Sequence, residues 1–533
     1  MKLDPETIEV SIEELERLVD GARQQPLNED DHRKLRAAVE TLGQMARRLA
    51  EKDATVRELR QMLLKPATTE KTRAVLERAG VPPRSDGTAG EPAAEKRKRK
   101  GHGRKPASAF VGAEKVEVPH PTLQPGDRCP DCGKGKVYSM KDPGVRVRIV
   151  GQAPVQATVY ELARLRCNLC QEIYEAPAPE SMGENKRDPT AASMVAVLKY
   201  GSGMPFHRLA GLQANLGIPL PPSTQWDMMA QAAAPMEPAF EELIRQAAQG
   251  QVVYNDDTAM RILALQRETA EDRTGVFTTG IVATANGRKM TLFFTGDKHA
   301  GENLADVLRR RAAESPPPIQ MCDALSRNVP KGFAVILSNC LTHCRRHYVE
   351  VAANFAPECQ YVLETLGEVY GHDEEARRQG MSEIERLDHH QAHSGPLMEQ
   401  LQQWGQQQLD EHRVEPNSGL GQAITYMLKH WEKLTLFLRK AGAPLDSNIV
   451  ERALKKAILH RKNALFYKTR NGAHVGDLFM SLIYTCELCG GNPFDYLTEL
   501  QRHAAELARH PERWMPWNYR ATLEEAAAVS EAA

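Results

Sequence analysis

At 533 residues, with 69 Lys+Arg against 70 Asp+Glu, the chain is long enough for roughly three or four domains and carries no bulk charge that by itself demands a nucleic-acid or membrane partner. Its start, MKLDPETIEVSIEELERL, lacks the basic and apolar pattern of a signal peptide, and no apolar run approaches the ~18 residues of a membrane span, so the expectation is a cytoplasmic protein with no membrane partner. Ten cysteines in that compartment read as thiols or metal ligands rather than disulfides.

Residues 1–66 are expected to be N-terminal helices. Leu35, Leu42, Leu49, Val56 and Leu63 recur every seventh residue, with Met45 and Leu59 at d positions between them, a coiled-coil pattern suited to self-association. Ala38 and Lys52 at other d positions, and Gly43, weaken it; a single amphipathic helix packed on its own chain is the alternative. From 67 to 118 the composition turns to Pro, Gly, Ala and charge, a flexible linker. It closes on the one concentrated basic run, Lys96, Arg97, Lys98, Arg99 and Lys100, then Arg104 and Lys105. Such an arm suits phosphates or an A·T-rich minor groove, and a solvated tail is the plainer reading.

Residues 119–177 hold CPDC (Cys129, Cys132) and CNLC (Cys167, Cys170) around the strand-rich VRVRIV and ATVYELARLRC. Four thiolates in two knuckles suit a structural Zn²⁺ in a zinc ribbon with no open coordination position, and two such pairs together argue against a redox CxxC. Residues 188–249 read as helical: PFHRLAGLQANLG ends at Gly217, IPLPP turns, and Ser223 stands where it would cap STQWDMMAQAAAP. That is helix-turn-helix-like and suited to DNA, although ordinary helical hairpins share the pattern.

From 250 to 480 the pattern changes. QVVYND, GVFTTGIVATA and RKMTLFFTG read as three strands, with Asn286-Gly287 as the turn between the last two. The helix-like GENLADVLRRRAA follows, then a short strand ending on Asp323 in PIQMCDA, then FAVILSNC leading into LTHCRRHYVEV. This is the order of a ribonuclease H-like core, which sets carboxylates from neighbouring strand ends side by side. The polar, helix-rich stretch from about 348 to 440 reads as an insertion into it, and 481–533 as a C-terminal helical segment. The expected fold is therefore multidomain α/β: a ribonuclease H-like catalytic core with a helical insertion, preceded by a coiled-coil helix, a zinc ribbon and a helix-turn-helix-like domain.

In YNDDTAMRIL an apolar run stops on two carboxylates, Asp256 and Asp257. Asp256 ends the first strand of the core and Asp323 the fourth, so the two are expected on adjacent strands; an ordinary turn is the alternative. Metal-dependent phosphoryl transfer needs two or three carboxylates around Mg²⁺ (or Mn²⁺), hard cations that prefer oxygen. The best third acid is Glu451 in DSNIVERALKKAILHRKN, on the first turn of a helix that Ser447 or Asn448 would cap, with Arg452, Lys455 and Lys456 nearby. On the helix alone, an i,i+4 salt bridge to Lys455 is the plainer explanation. Trp404 and Trp431 suit base stacking but more commonly pack helices, HHQAH (His389, His390, His393) reads as surface, and CELC (Cys486, Cys489) as helix packing. No GxxxxGK[ST] occurs, so ATP is not implied.

Taken in order, YNDDTAMRIL, QMCDA, CLTHCRRHY and DSNIVERALKKAILHRKNALF resemble the bacterial DDE transposases of the insertion-sequence-66 family, and so do the GHGRKP arm, the two-CxxC module, KYGSGMPFHRL, SGLGQAITYML and WMPWNY. The resemblance implies catalytic, Mg²⁺-binding acids at Asp256, Asp323 and Glu451. It implies active-site support from Asp257 (usually Glu in the family), from Cys340 and His343 of a C-x-x-H signature, and from Asn448. Ser447 departs from the usual Asn. DNA contacts are implied for the basic arm and for Arg452, Lys455, Arg461 and Lys462. The implied activity is binding of terminal inverted repeats, cleavage of the 3′ ends and joining to target DNA, by a homodimer or higher oligomer, with two small accessory proteins. A DNA-binding protein derived from an inactive or domesticated transposase is the alternative, and a nuclease that cuts without joining shares the site.

Overall fold

The computed structural model describes residues 185–265 and 275–532, the segment 72–80, most of 120–140 and 152–179, and isolated positions elsewhere. The coiled-coil positions Leu42 to Leu63, the basic arm Lys96 to Lys105, and Cys167 and Cys170 lie outside the described residues. The chain divides into two units, 84–158 and the remainder.

The remainder is built on a five-stranded mixed sheet. Its strands are β3 (Val252–Ala259), β4 (Phe277–Ala285), β5 (Arg288–Gly296), β6 (Ile319–Cys322) and β7 (Ile336–Asn339), following a small hairpin, β1 (Arg164–Arg166) and β2 (Ile173–Glu175). The order is β5-β4-β3-β6-β7, antiparallel from β3 to β5 and parallel from β3 to β7. All five were legible as apolar runs. Asn286 and Gly287 both take positive φ (51° and 76°), the backbone that a two-residue hairpin turn matched to strand twist requires. β4 is buried at six consecutive positions, so both faces of the sheet are covered.

Helices cover it. In chain order they are α1 (Thr72–Arg78), α2 (Pro189–Ala196), α3 (Phe206–Asn215), α4 (Pro222–Ala247), α5 (Ala300–Leu308), α6 (Leu341–Val351), α7 (Ala356–Gln379), α8 (Glu383–Asp410), α9 (Gly419–Lys429), α10 (Trp431–Leu434), α11 (Asn448–Ala464), α12 (Arg470–Leu488), α13 (Pro493–Arg502), α14 (Ala504–Arg509) and α15 (Tyr519–Ala532). Helix α12 seals the open edge of β5 with a polar stripe. Thr485 Oγ1, Ser481 Oγ and the Asp477 carboxylate accept the backbone N–H groups of Thr291, Phe293 and Thr295 at 2.9, 2.9 and 2.6 Å. Alternate residues of an edge strand point their N–H groups outward, and side chains at i, i+4 and i+8 of one helix meet them.

Several expectations change here. Within the stretch read as linker, Thr72–Arg78 is helical, with Val75 and Leu76 buried and Val75 packed into the α6–α10 core. Helix α4 starts on Pro222, with no side-chain cap from Ser223, because proline's fixed φ suits the first turn and its missing N–H costs nothing there. It packs on β4, β5 and α12 instead of standing in a separate domain. The boundary expected at 480 falls inside α12, whose stripe is part of the sheet. The HHQAH run is not all surface: His390 is buried between Ser394 Oγ (2.9 Å) and Asp373 Oδ1 (3.3 Å), while His393 is exposed. Trp404 packs against Tyr361 of α7.

Candidate active site

Parallel pairing aligns the first two acids. Tyr254 of β3 lies opposite Met321 of β6, and continuing that register sets Asp256 level with Asp323, just past the end of β6. Both residues lie an even number of positions from that pair and so share a face of the sheet. Burial above all, then the charge of Asp323, push the Asp256 carboxyl up to about 7; the Asp257 N–H, donating to Asp256 Oδ1 at 2.8 Å, and the nearby His343 ring act in the opposite direction. The Asp323 charge therefore lies near enough to Asp256 to oppose its ionisation.

The third acid arrives on α11, which crosses β3 and β4. Its approach depends on Gly280, the residue paired with Asp256: a Cβ there would lie 3.0 Å from Leu454 Cδ2 and 3.1 Å from Leu454 Cγ. At the start of α11 the Ser447 side chain makes no cap. Instead Asp446 accepts from the Asn448 backbone N–H (3.0 Å) and side-chain amide (2.7 Å), and the Ser447 N–H donates to Cys340 Sγ at 3.3 Å. Glu451 then faces His343, with Oε1 3.8 Å from Nε2, and makes no ion pair with Lys455. Cys340, His343 and Glu451 offer one ligand atom each, all within 4.8 Å of one another. Glu451 Oε1 is buried with no hydrogen-bond partner.

Sequence reasoning missed a buried amide cluster that holds Asp323. The Asn328 side-chain amide donates to Asp323 Oδ1, and the Asn328 carbonyl accepts from Asn255 Nδ2 and Gln320 Nε2, each at 2.7 Å. Gln320 Nε2 also donates to Asn255 Oδ1 at 2.8 Å, so β3, β6 and the 326–328 turn are tied together. Gly301 lets α5 approach that turn, since a Cβ there would sit 2.6 Å from the Arg327 and Val329 carbonyls. Polar residues inside strands were the available signal. Asp257 faces away from this cluster, accepting from His299 Nδ1 (3.1 Å) and pairing with Arg327 (3.5 Å).

Of the basic residues on α11, Arg452, Lys455 and Lys462 are exposed. Arg461 is half-buried and donates to Thr258 Oγ1 (3.0 Å) and the Ala259 carbonyl (2.5 Å) at the end of β3. In the 84–158 unit the first CxxC forms a tight knuckle: the Cys129 N–H donates to the Gly135 carbonyl (2.8 Å) and the Gly135 N–H to Cys132 Sγ (3.4 Å). The backbone N–H groups of Gly135 and Lys134 draw the Cys132 thiol below its ordinary range.

Asp256 lies inside β3, three residues from its end and not at the end as expected, Asp323 follows β6, and Glu451 stands on the first turn of α11. The chain belongs to the family described as Transposase IS66 family, whose sequence profile matches residues 187–475. Three proteins of Sinorhizobium fredii (strain NBRC 101917 / NGR234) are similar to it. Uncharacterized protein y4jD is 26% identical over 79% of this chain and 84% of its own length. Uncharacterized protein y4hP is 26% identical over 78% and 77%, and uncharacterized protein y4qI 24% identical over 61% of each. Family membership supports a transposase role with DNA as partner and implies use of a divalent metal. Among the described residues no helix is long and apolar enough to cross a membrane.

Proposed function

We propose that this protein is a DDE transposase with a ribonuclease H-like core, in which Asp256, Asp323 and Glu451 are the catalytic acids that cut the 3′ ends of a mobile element and join them to target DNA. The observation that supports the reading is that Asp256 and Asp323 lie level on adjacent strands, with the helix of Glu451 packed on β3 and β4, inside the segment matched by the family. The strand order β5-β4-β3-β6-β7, with an acid after the fourth strand in sequence, supports the core assignment.

The acids fit Mg²⁺ or Mn²⁺: oxygen donors only, one buried oxygen of Glu451 without a partner, and two aspartates whose mutual repulsion a cation would relieve. Bound divalent ions would supply charge neutralisation at phosphorus and activation of the attacking oxygen. The chain's own part is to hold the acids. The Asn255–Gln320–Asn328 cluster fixes Asp323, the β3–β4 register fixes Asp256, and the approach at Gly280 fixes Glu451. Strand cleavage and strand joining are both in-line displacements at phosphorus, so one arrangement serves both.

Exposed Arg452, Lys455 and Lys462, with the guanidinium of Arg461, would neutralise DNA phosphates beside the cut, with Asp257, Cys340, His343 and Asn448 in support. Cys129, Cys132, Cys167 and Cys170 would hold a structural Zn²⁺, and the basic arm Lys96–Lys105 would track the DNA backbone. The test is a transposition assay in cells, with the element's ends flanking a marker and its accessory proteins present, comparing wild type with Glu451→Gln. Joined products from wild type alone support the reading. No joining from either, with end binding intact, favours a DNA-binding relic.

A further inference from the structure

The function proposed above asks Glu451 to join the aspartates, a set of hard oxygen donors. Its neighbours in the fold are Cys340, at the start of α6, and His343, one turn into it, whose ligand atoms lie with that of Glu451 inside 4.8 Å. Around a tetrahedral zinc, with bonds of about 2.0 to 2.3 Å, adjacent ligand atoms sit on the order of 3.5 Å apart. The His343 Nε2 to Glu451 Oε1 separation of 3.8 Å is already close to that. A further feature points to a ligand: Glu451 Oε1 is buried without a hydrogen-bond partner. Burial pushes the Cys340 thiol up, and the Ser447 backbone N–H that donates to its Sγ at 3.3 Å acts in the opposite direction.

We infer that Cys340, His343 and Glu451 form a second cation site, selective for Zn²⁺ over Mg²⁺, that competes with Asp256 and Asp323 for Glu451. Thiolate and imidazole donors select borderline-soft ions, whereas Mg²⁺ keeps to oxygen, so the two sites draw on different metals while sharing one carboxylate. On binding, Cys340 gives its thiol proton to solvent, no electron moves, and the fourth position stays open to water. Zinc held here withdraws Glu451 from the acid cluster and stops Mg²⁺-dependent chemistry. The site itself is independent of the function proposed above; the inhibition rests on it.

The full-length protein, with its native zinc content, is titrated with Co²⁺ in the absence of DNA and Mg²⁺, and the thiolate-to-cobalt charge-transfer absorption is followed. One added equivalent should give a band of single-thiolate intensity, absent from Cys340→Ser. His343→Gln should weaken cobalt binding roughly ten- to a hundredfold with an unchanged circular dichroism spectrum. No band, or the same band in Cys340→Ser, overturns the site. His343→Gln keeps the test sharp should the buried serine prevent folding, because unaltered affinity in a folded variant also overturns it. Zn²⁺ should then inhibit Mg²⁺-supported cleavage by wild type at concentrations roughly tenfold or more below those needed for His343→Gln, each relative to its own zinc-free rate. A cobalt band with no zinc inhibition of an active protein overturns the competition. Absence of cleavage under all conditions counts against the transposase reading, while the cobalt titration alone still decides whether the site exists.

Discussion

Asp256 on β3 and Asp477 on α12, the helix that lies along the edge of the same sheet, are both aspartates whose carboxyls burial pushes up to about 7. Their surroundings are opposite. Asp477 is buried between α12 and β5 and accepts from both the backbone N–H and the hydroxyl of Thr295, at 2.6 and 2.7 Å, so each of its oxygens has a donor. Asp256 has one backbone donor and a second acid, Asp323, whose charge opposes its ionisation. A displaced proton affinity marks burial in both. What separates a structural carboxyl from a candidate catalytic one is whether its neighbours satisfy it or compete with it.

The sharpest way to break that contrast is to neutralise Asp256. Asp256→Asn is expected to lower the rate of Mg²⁺-dependent 3′-end cleavage by roughly a thousandfold, corresponding to several kcal/mol of lost transition-state stabilisation. Because the substitution also removes repulsion with Asp323, thermal unfolding should occur no earlier than in wild type. An active Asp256→Asn would reduce Asp256 to a buried structural group like Asp477.

For Asp477 the expected signature lies in stability. Its folded-state value, about 7 against an ordinary 3.8, is raised, so the folded state favours the neutral form. The contribution is fully present below about pH 4, is lost progressively as pH rises to about 7 and is constant above that, a span of up to about 4 kcal/mol. Asp477→Asn keeps the shape and an acceptor for the Thr295 N–H while removing the proton. Relative to wild type it should therefore gain stability at pH 8 compared with pH 5, as read from denaturation midpoints. An unchanged difference between the two pH values would mean that Asp477 ionises freely where it lies.

The sequence disclosed one side of this contrast better than the other. The strands were legible because buried strands read as apolar runs, and Asp256 and Asp323 stood out because each interrupts one. Glu451 was legible as a candidate third acid from its capped, basic helix, a pattern that a surface salt bridge explains as plainly, and the resemblance decided between them; the contact with His343, across more than a hundred residues, was not legible. Asn255, Gln320 and Asn328 escaped notice because a polar residue in a strand reads as solvent-facing until its partners are known. Asp477, Ser481 and Thr485 share one face of α12, but their partner is a strand edge nearly two hundred residues earlier, which helical periodicity cannot reveal. His390 escaped for the same reason: HHQAH names the side chains but not the Asp373 across the α7–α8 pair.

The contrast sharpens at Gly280, where the fold and the candidate acids meet. A methyl group there would press on Leu454 at 3.0 to 3.1 Å, so α11 must shift by a few tenths of an ångström and carry Glu451 with it. Displacement of about 1 Å can cost a hundredfold in rate, so a loss of about tenfold is expected for Gly280→Ala, with unfolding nearly unaffected. A loss of stability with full activity would show that Glu451 tolerates movement, which a positioned metal ligand does not.

The smallest expected effect separates charge from anchoring at Arg461, which is tied to the end of β3 through Thr258 and Ala259 and also carries a charge beside the candidate acids. Arg461→Lys keeps the charge but loses Nη1, the atom that donates to both partners, so stability should fall by about 1 kcal/mol while the salt dependence of DNA binding stays as in wild type. Arg461→Gln loses both, and the slope of binding against log salt should fall by about one as well. Lys462→Gln, next along the helix and exposed, should reduce the slope similarly without the stability loss. If Arg461→Gln leaves the slope untouched while Lys462→Gln lowers it, the guanidinium belongs with Asp477, as a charged group spent on holding a strand, and the DNA contact passes to its exposed neighbours.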